Sequence, residues 1–248
     1  MVNVQRARWR AAAAAIVVTA SIGPAAAQSP APAARPADGG FFARSPQYPL
    51  LPRELETELA LSAAPPHLRG GASVAVLEPG GYVTATRGAN PFTCMVSRRS
   101  GDLFPVCWDA EGTRSLFPLD VDDAQLRLTG KAGAEIEQVL ASGFKDGHYR
   151  PPSRTGIAYM LSPLRYRIDE GGRITRSNPN PHVMFYGPNL TDGDIGGLRG
   201  SVVFMNKVGP DGMIIVPVGQ KERETILLES TSLTERLERA IGYTPLQR

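Results

Sequence analysis

Phe92-Thr93-Cys94-Met95-Val96-Ser97-Arg98-Arg99-Ser100-Gly101-Asp102-Leu103-Phe104-Pro105-Val106-Cys107-Trp108 is the stretch on which the fold turns. Two β-rich runs, 92–97 and 104–108, flank a Ser-Gly pair of the kind that closes a two-residue hairpin. With Ser100 and Gly101 as the loop, residues whose numbers add to 201 face each other, so Cys94 stands opposite Cys107. Counting outward from the closing Arg99–Asp102 pair puts the cysteines on a non-hydrogen-bonded pair, where side chains come closest. Pro105 falls on the same kind of pair, opposite Val96, so its missing N–H removes no bond inside the hairpin. The spacing therefore predicts a structural Cys94–Cys107 disulfide. A redox-active pair is disfavoured, because there is neither a CxxC spacing nor a neighbouring His.

A disulfide calls for an oxidising compartment, and the N-terminus supplies a matching address. Arg6, Arg8 and Arg10 precede an apolar run over 11–22, Gly23-Pro24 breaks it, and Ala25-Ala26-Ala27 offers a small-residue cleavage site before Gln28. This pattern predicts a signal peptide over 1–27. The apolar run is too short for a membrane anchor, which needs ~20 residues, and no later stretch is long and apolar enough to span. The expected location is periplasmic or secreted.

The charge balance changes meaning once this is seen. The chain has 27 Lys and Arg against 24 Asp and Glu, and the whole surplus is those three arginines. From Gln28 onward the chain is formally neutral, so composition gives no support to nucleic acid as a partner. With 42% hydrophobic and 21% charged residues the chain can build a core, which excludes wholesale disorder.

Outward from the hairpin, residues 28–50 are rich in Pro and Ala and read as a disordered linker, with Phe41, Phe42 and Tyr48 as unusual members. Residues 51–248 read as one globular domain. Helices are expected at 53–61, at 131–142 with Gly143 as C-cap, and at 232–241 with a Ser232/Glu235 capping box. Strands are expected at 72–77, 82–86, 157–161, 166–168, 173–175, 183–186, 202–205 and 213–218. Strands outnumber helices and do not alternate with them. The predicted class is α+β, a mainly antiparallel sheet carrying the disulfide-stapled hairpin, with a few flanking helices.

Motifs for chemistry are sparse. Walker, GxGxxG, GxSxG and HExxH patterns are absent, and Ser142-Gly143-Phe144-Lys145 matches S-x-x-K without its companion motifs. His67, His148 and His182 are the only histidines, none with a second at helical ligand spacing. Asp192-Gly193-Asp194 begins like a calcium loop, but position twelve is Val203 where a bidentate Glu is required. Asn189-Leu190-Thr191 matches a glycosylation acceptor. The polar, turn-dense segment 178–200 is the expected site, with Asn180, Tyr186, Asn189, Asp192 and Asp194 as binding candidates.

The function expected from this is a binding or cell-envelope accessory module that takes a small ligand or an envelope partner, with no cofactor implied. The alternative is a hydrolytic enzyme or metalloenzyme in which His182 and His148 act with a nearby Asp: Asp146, Asp192 or Asp194. A surface structural role is the third reading.

Overall fold

The computed structural model describes residues 49–131, 133–169, 172–177, 180–198 and 202–244. The signal peptide expected over 1–27 and all but the last two residues of the linker expected over 28–50 lie outside these, as do Asn178, Pro179 and Gly200. In chain order the elements are α1 (Arg53–Leu61), α2 (Pro66–Arg69), β1 (Ser73–Glu78), β2 (Gly81–Thr86), β3 (Thr93–Ser97), β4 (Asp102–Trp108), α3 (Ala110–Ser115), α4 (Phe117–Leu128) and α5 (Gly133–Lys145). They continue with β5 (Ile157–Met160), β6 (Arg165–Ile168), β7 (Ile174–Ser177), β8 (His182–Tyr186), β9 (Phe204–Met205), β10 (Met213–Pro217), α6 (Gln220–Glu229) and α7 (Thr231–Ile241). No helix among the described residues is long and apolar enough to cross a membrane.

The fold is α+β. The sheet runs β2-β1-β3-β4-β5-β8-β10-β9, and a side branch of β6 and β7 also starts from β4. Every pairing is antiparallel except β1 with β3, so the sheet is mixed but mostly antiparallel. The β3–β4 hairpin has the expected register, with Cys94 opposite Cys107, Val96 opposite Pro105 and Ser97 opposite Phe104. Ser100 (φ 57°) and Gly101 (φ 84°) both take left-handed backbone, as a tight hairpin turn demands. The cysteines are bonded across a Cα–Cα distance of 4.0 Å, which fits a non-hydrogen-bonded pair.

Pro105 also explains why the sheet forks. Along β4, Asp102 and Leu103 pair with β6, while Cys107 and Trp108 pair with β5. On a non-hydrogen-bonded pair the N–H of residue 105 points away from β3, and proline has none to offer there. The chain joining β5 to β6 uses that gap to leave the ladder over residues 161–164. Leu161 N–H donates to Ala63 O at 3.1 Å, and Leu164 is buried among the side chains under α1 and α7.

Helices cover both faces. Leu55 and Leu59 of α1 and Leu233, Leu237 and Ile241 of α7 pack with Val74, Cys94, Val96 and Cys107. On the other face Leu119 of α4 and Ile136 and Leu140 of α5 pack with Met95, Val106 and Trp108. α1 and α7 are the most legible helices because each presents a single apolar stripe. The expected capping box does not form. Only Ser230 separates α6 from α7, and it keeps helical backbone and makes no side-chain cap, whereas a capping residue needs extended backbone. Nor does Gly143 end α5. It lies inside that helix because the Tyr149 ring rests on it, a Cβ there falling 2.4 Å from the ring, and Gly147 (φ 77°) takes the left-handed position instead.

Candidate functional site

Strand alternation and register build one row across the sheet. Trp108 pairs with Ala158, Ala158 with Met184, Met184 with Ile215, and Ile215 with Phe204. The next row sets Met160 directly opposite His182. Met213, opposite Tyr186, begins a third. All these side chains share the face that carries α4 and α5. At the fork all of them but Ala158 and Tyr186 line a cavity of about 460 Å³, with Phe104, Arg165, Asp120 of α4, Arg99 and Ser100 of the hairpin turn, and the 204–207 segment completing its wall. That volume suits a small molecule, and an apolar lining with a few polar groups is the usual composition of such a site. Met160, Met184, Met205 and Met213, four of the six methionines in the chain, line it.

The polar groups at this cavity are unevenly satisfied. Asp120 is 1% exposed; its Oδ1 accepts from the Ser97 hydroxyl at 2.7 Å, and its Oδ2 has no partner. Burial pushes its carboxyl up to about 6, against the pull of Arg99 and the Ser97 hydrogen bond. Trp108 is 3% exposed, and its indole N–H also has no partner. Two residues that line this cavity therefore each hold a buried polar atom without a partner. Around them the cations are held in pairs. Arg99 and Lys207 both reach Asp211 at 2.6 Å, and although burial alone would raise it, these two cations keep the Asp211 carboxyl below its ordinary value. Arg165 pairs with Asp102 and lies 5.3 Å from the centre of the Phe104 ring.

His182 is the one sequence-chosen residue that lines this cavity. Its Nδ1 lies 2.7 Å from the Asn180 carbonyl oxygen. A carbonyl only accepts, so Nδ1 carries the proton and Nε2 keeps its lone pair. Burial, with Arg165 nearby, holds the imidazole below its ordinary pKa, and the ring is neutral near pH 7.

The remaining candidates are spent on structure. Tyr186 donates to Asp109 Oδ1 at 2.7 Å and to Ile157 O at 3.0 Å, while Asp109 caps α3 through Gly112 N–H. Asp192 accepts from Met205 N–H at 2.7 Å and ties its loop to β9. Asp194 is fully exposed, and the Thr191 hydroxyl and N–H hold its carboxyl below the usual range. Asn189 takes left-handed backbone at φ 63°, and its N–H donates to Gly209 O. Asn180 is exposed and contributes its carbonyl to His182.

His148 and His182 share no partner. His148 is exposed, with Nε2 3.4 Å from Asp122, and packs edge-on against Tyr149. Asp146 is exposed after α5, where its N–H donates to Ser142 O. No group of three or more His, Cys, Asp or Glu among the described residues could hold a metal ion. Sequence reasoning missed Trp108, Asp120, Met160, Met184 and Met213. The signal that could have found them is the recurrence of Met on alternate positions of separate strands. No protein-family model, no curated protein and no solved structure matches the chain.

Proposed function

We propose that the chain is an exported ligand-binding module and that its ligand occupies the cavity at the sheet fork. One observation carries this reading: Trp108 and Asp120, each with a buried polar atom that has no partner (Nε1 and Oδ2), are both lining residues of this cavity. Burying either atom unpaired costs about 1–3 kcal/mol, a cost that a guest hydrogen-bonded to both would offset. A guest with one acceptor, one donor and an apolar body complements them and the methionine-rich wall. Export is supported by the 1–27 pattern together with the Cys94–Cys107 bond.

The test is native mass spectrometry of the chain isolated from the cells that make it. Ile215 lies in the middle of the row and is only half-buried, so Ile215→Trp fills the cavity with little strain on the core. A stoichiometric adduct on the wild type that is missing from Ile215→Trp supports the reading. An adduct unchanged in that variant places the ligand elsewhere and overturns it.

A further inference from the structure

We propose that the β5–β8 wall of this cavity binds a soft monovalent metal ion, copper(I), through Met160, His182 and Met184. The inference rests on the binding reading above and adds a metal ion to the same cavity.

The placement follows from register. Met160 and His182 are a directly opposed cross-strand pair, so their Cβ atoms stand about 5 Å apart on the same face. Met184 lies two residues beyond His182 on that face, diagonal to Met160 at about 7–8 Å. Methionine has three rotatable bonds beyond Cα, which lets two thioether sulfurs converge on the ring nitrogen between them. All three residues are buried and line one cavity.

The histidine is already prepared as a ligand. Its Nδ1–H is committed to the Asn180 carbonyl at 2.7 Å, the usual way a ligating imidazole is oriented. Its Nε2 makes no hydrogen bond among the described residues. A nitrogen lone pair therefore shares one sheet face with two thioethers.

The donor set selects the metal. Calcium and magnesium need several oxygen ligands, which this wall does not offer. Thioether sulfur is a poor hydrogen-bond acceptor but a good ligand for a soft ion such as copper(I). Both cysteines are held in the disulfide, so no thiolate competes for the ion. A thioether site also survives in an oxidising compartment where a pair of free thiols would close on itself. Two sulfurs and one nitrogen leave the ion three-coordinate. The rest of the cavity, with Asp120 and the Trp108 N–H, then receives whatever completes its coordination.

The experiment uses the exported chain labelled with ¹³C at the methionine methyl groups and titrated with silver(I), which matches copper(I) in softness and does not change oxidation state. Copper(I) is then titrated in competition with bathocuproine disulfonate. The Met160 and Met184 methyl signals should move together and saturate at one equivalent, while that of Met95, buried elsewhere, stays in place. Met160→Leu and Met184→Leu are near-isosteric apolar exchanges that preserve the core. Each should weaken silver(I) by more than about 100-fold, beyond the effect of losing a merely orienting neighbour. Unmoved Met160 and Met184 signals, or unchanged affinity in both Leu variants, overturn the assignment. If silver(I) does not bind but a co-isolated small molecule is still lost in Ile215→Trp, the metal assignment falls and the binding reading stands. Binding of neither removes both.

Discussion

Trp108 and Met184 stand on either side of Ala158 in one cross-strand row, so the smallest side chain of the row separates an indole from a thioether. Just before this row, between the β6 pairing at Asp102–Leu103 and the β5 pairing at Cys107–Trp108, β4 loses continuous contact on that side, because Pro105 has no N–H to offer and the chain between β5 and β6 turns away toward α1. Fork, cavity and unsatisfied polar atoms thus share a cause that reaches back to the hairpin.

The disulfide should be structural. It closes a loop with a sequence separation of 13, for which chain entropy gives about 3 kcal/mol. Urea unfolding of the oxidised chain and of Cys94→Ser/Cys107→Ser should differ by about that amount, with the folded circular-dichroism spectrum unchanged. Equal midpoints would mean that the staple constrains nothing.

Arg98 and Glu56 form an ion pair at 2.9 Å with both side chains fully buried, and Glu56 also accepts from Leu77 N–H at 2.9 Å. Arg98→Ala leaves a buried carboxylate without its counter-ion and should cost about 3–5 kcal/mol in chemical denaturation. Replacing both, as Glu56→Leu/Arg98→Met, should recover most of that loss. A double variant no better than the single one would show that the pair itself, and not the stranded charge, sets the cost.

Asp120 gives the fold a pH dependence of unusual sign. Its carboxyl is raised by burial from 3.8 to about 6, with Asp123 and Asp211 adding to the rise and Arg99 and Ser97 opposing it. Between those two values the folded chain holds more protons than the unfolded one, so this group's contribution falls as pH rises and is fully lost above about 6. The shift corresponds to roughly 3 kcal/mol. Asp120→Asn should therefore be more stable than wild type at pH 7.5, with the difference shrinking toward pH 4. A constant difference across that range would place the titration elsewhere.

Gly156 lets two parts of the chain approach the Tyr186–Asp109 contact. A Cβ at Gly156 would fall 2.4 Å from Asp109 Oδ2 and 2.5 Å from the Tyr186 ring. Gly156→Ala should lower stability by about 1–3 kcal/mol through this overlap. Tyr186→Phe in the same background should relieve none of the ring clash, since it removes only the hydroxyl. Thermal unfolding of the two single variants and the double variant measures both effects.

The hairpin is readable in the sequence because its constraints are local: a two-residue turn, a proline that must avoid the ladder, and two cysteines whose numbers match. Leu233, Leu237 and Ile241 make α7 readable in the same way. α6 escapes because it buries no residue and so has no stripe to detect. α3 and α4 escape because their buried positions include Glu111, Asp120, Asp123 and Arg127, whose charged side chains break the apolar pattern that marks a helix's inner face. The site is legible only at His182. Its other members meet through a non-consecutive strand order, β4-β5-β8-β10, and motif searches built on His, Cys and carboxylates pass over methionine. Asp192 and Asp194 stand out as carboxylates in a loop, but their oxygens serve that loop's own turns and its tie to β9.

The most direct measurement uses Trp108 itself. The chain has two tryptophans, Trp9 and Trp108, of which Trp108 is at the cavity, so in a chain starting at Gln28 Trp108 is the sole indole fluorophore. Its emission should be followed while the chain is titrated with the low-molecular-mass fraction of the cells that make it. A saturable change in intensity and wavelength is expected as the cavity fills and the Trp108 N–H gains a partner. Emission that stays unchanged throughout, from a chain shown by native mass spectrometry to bind a component of that fraction, would contradict the claim that the fork cavity is the binding site.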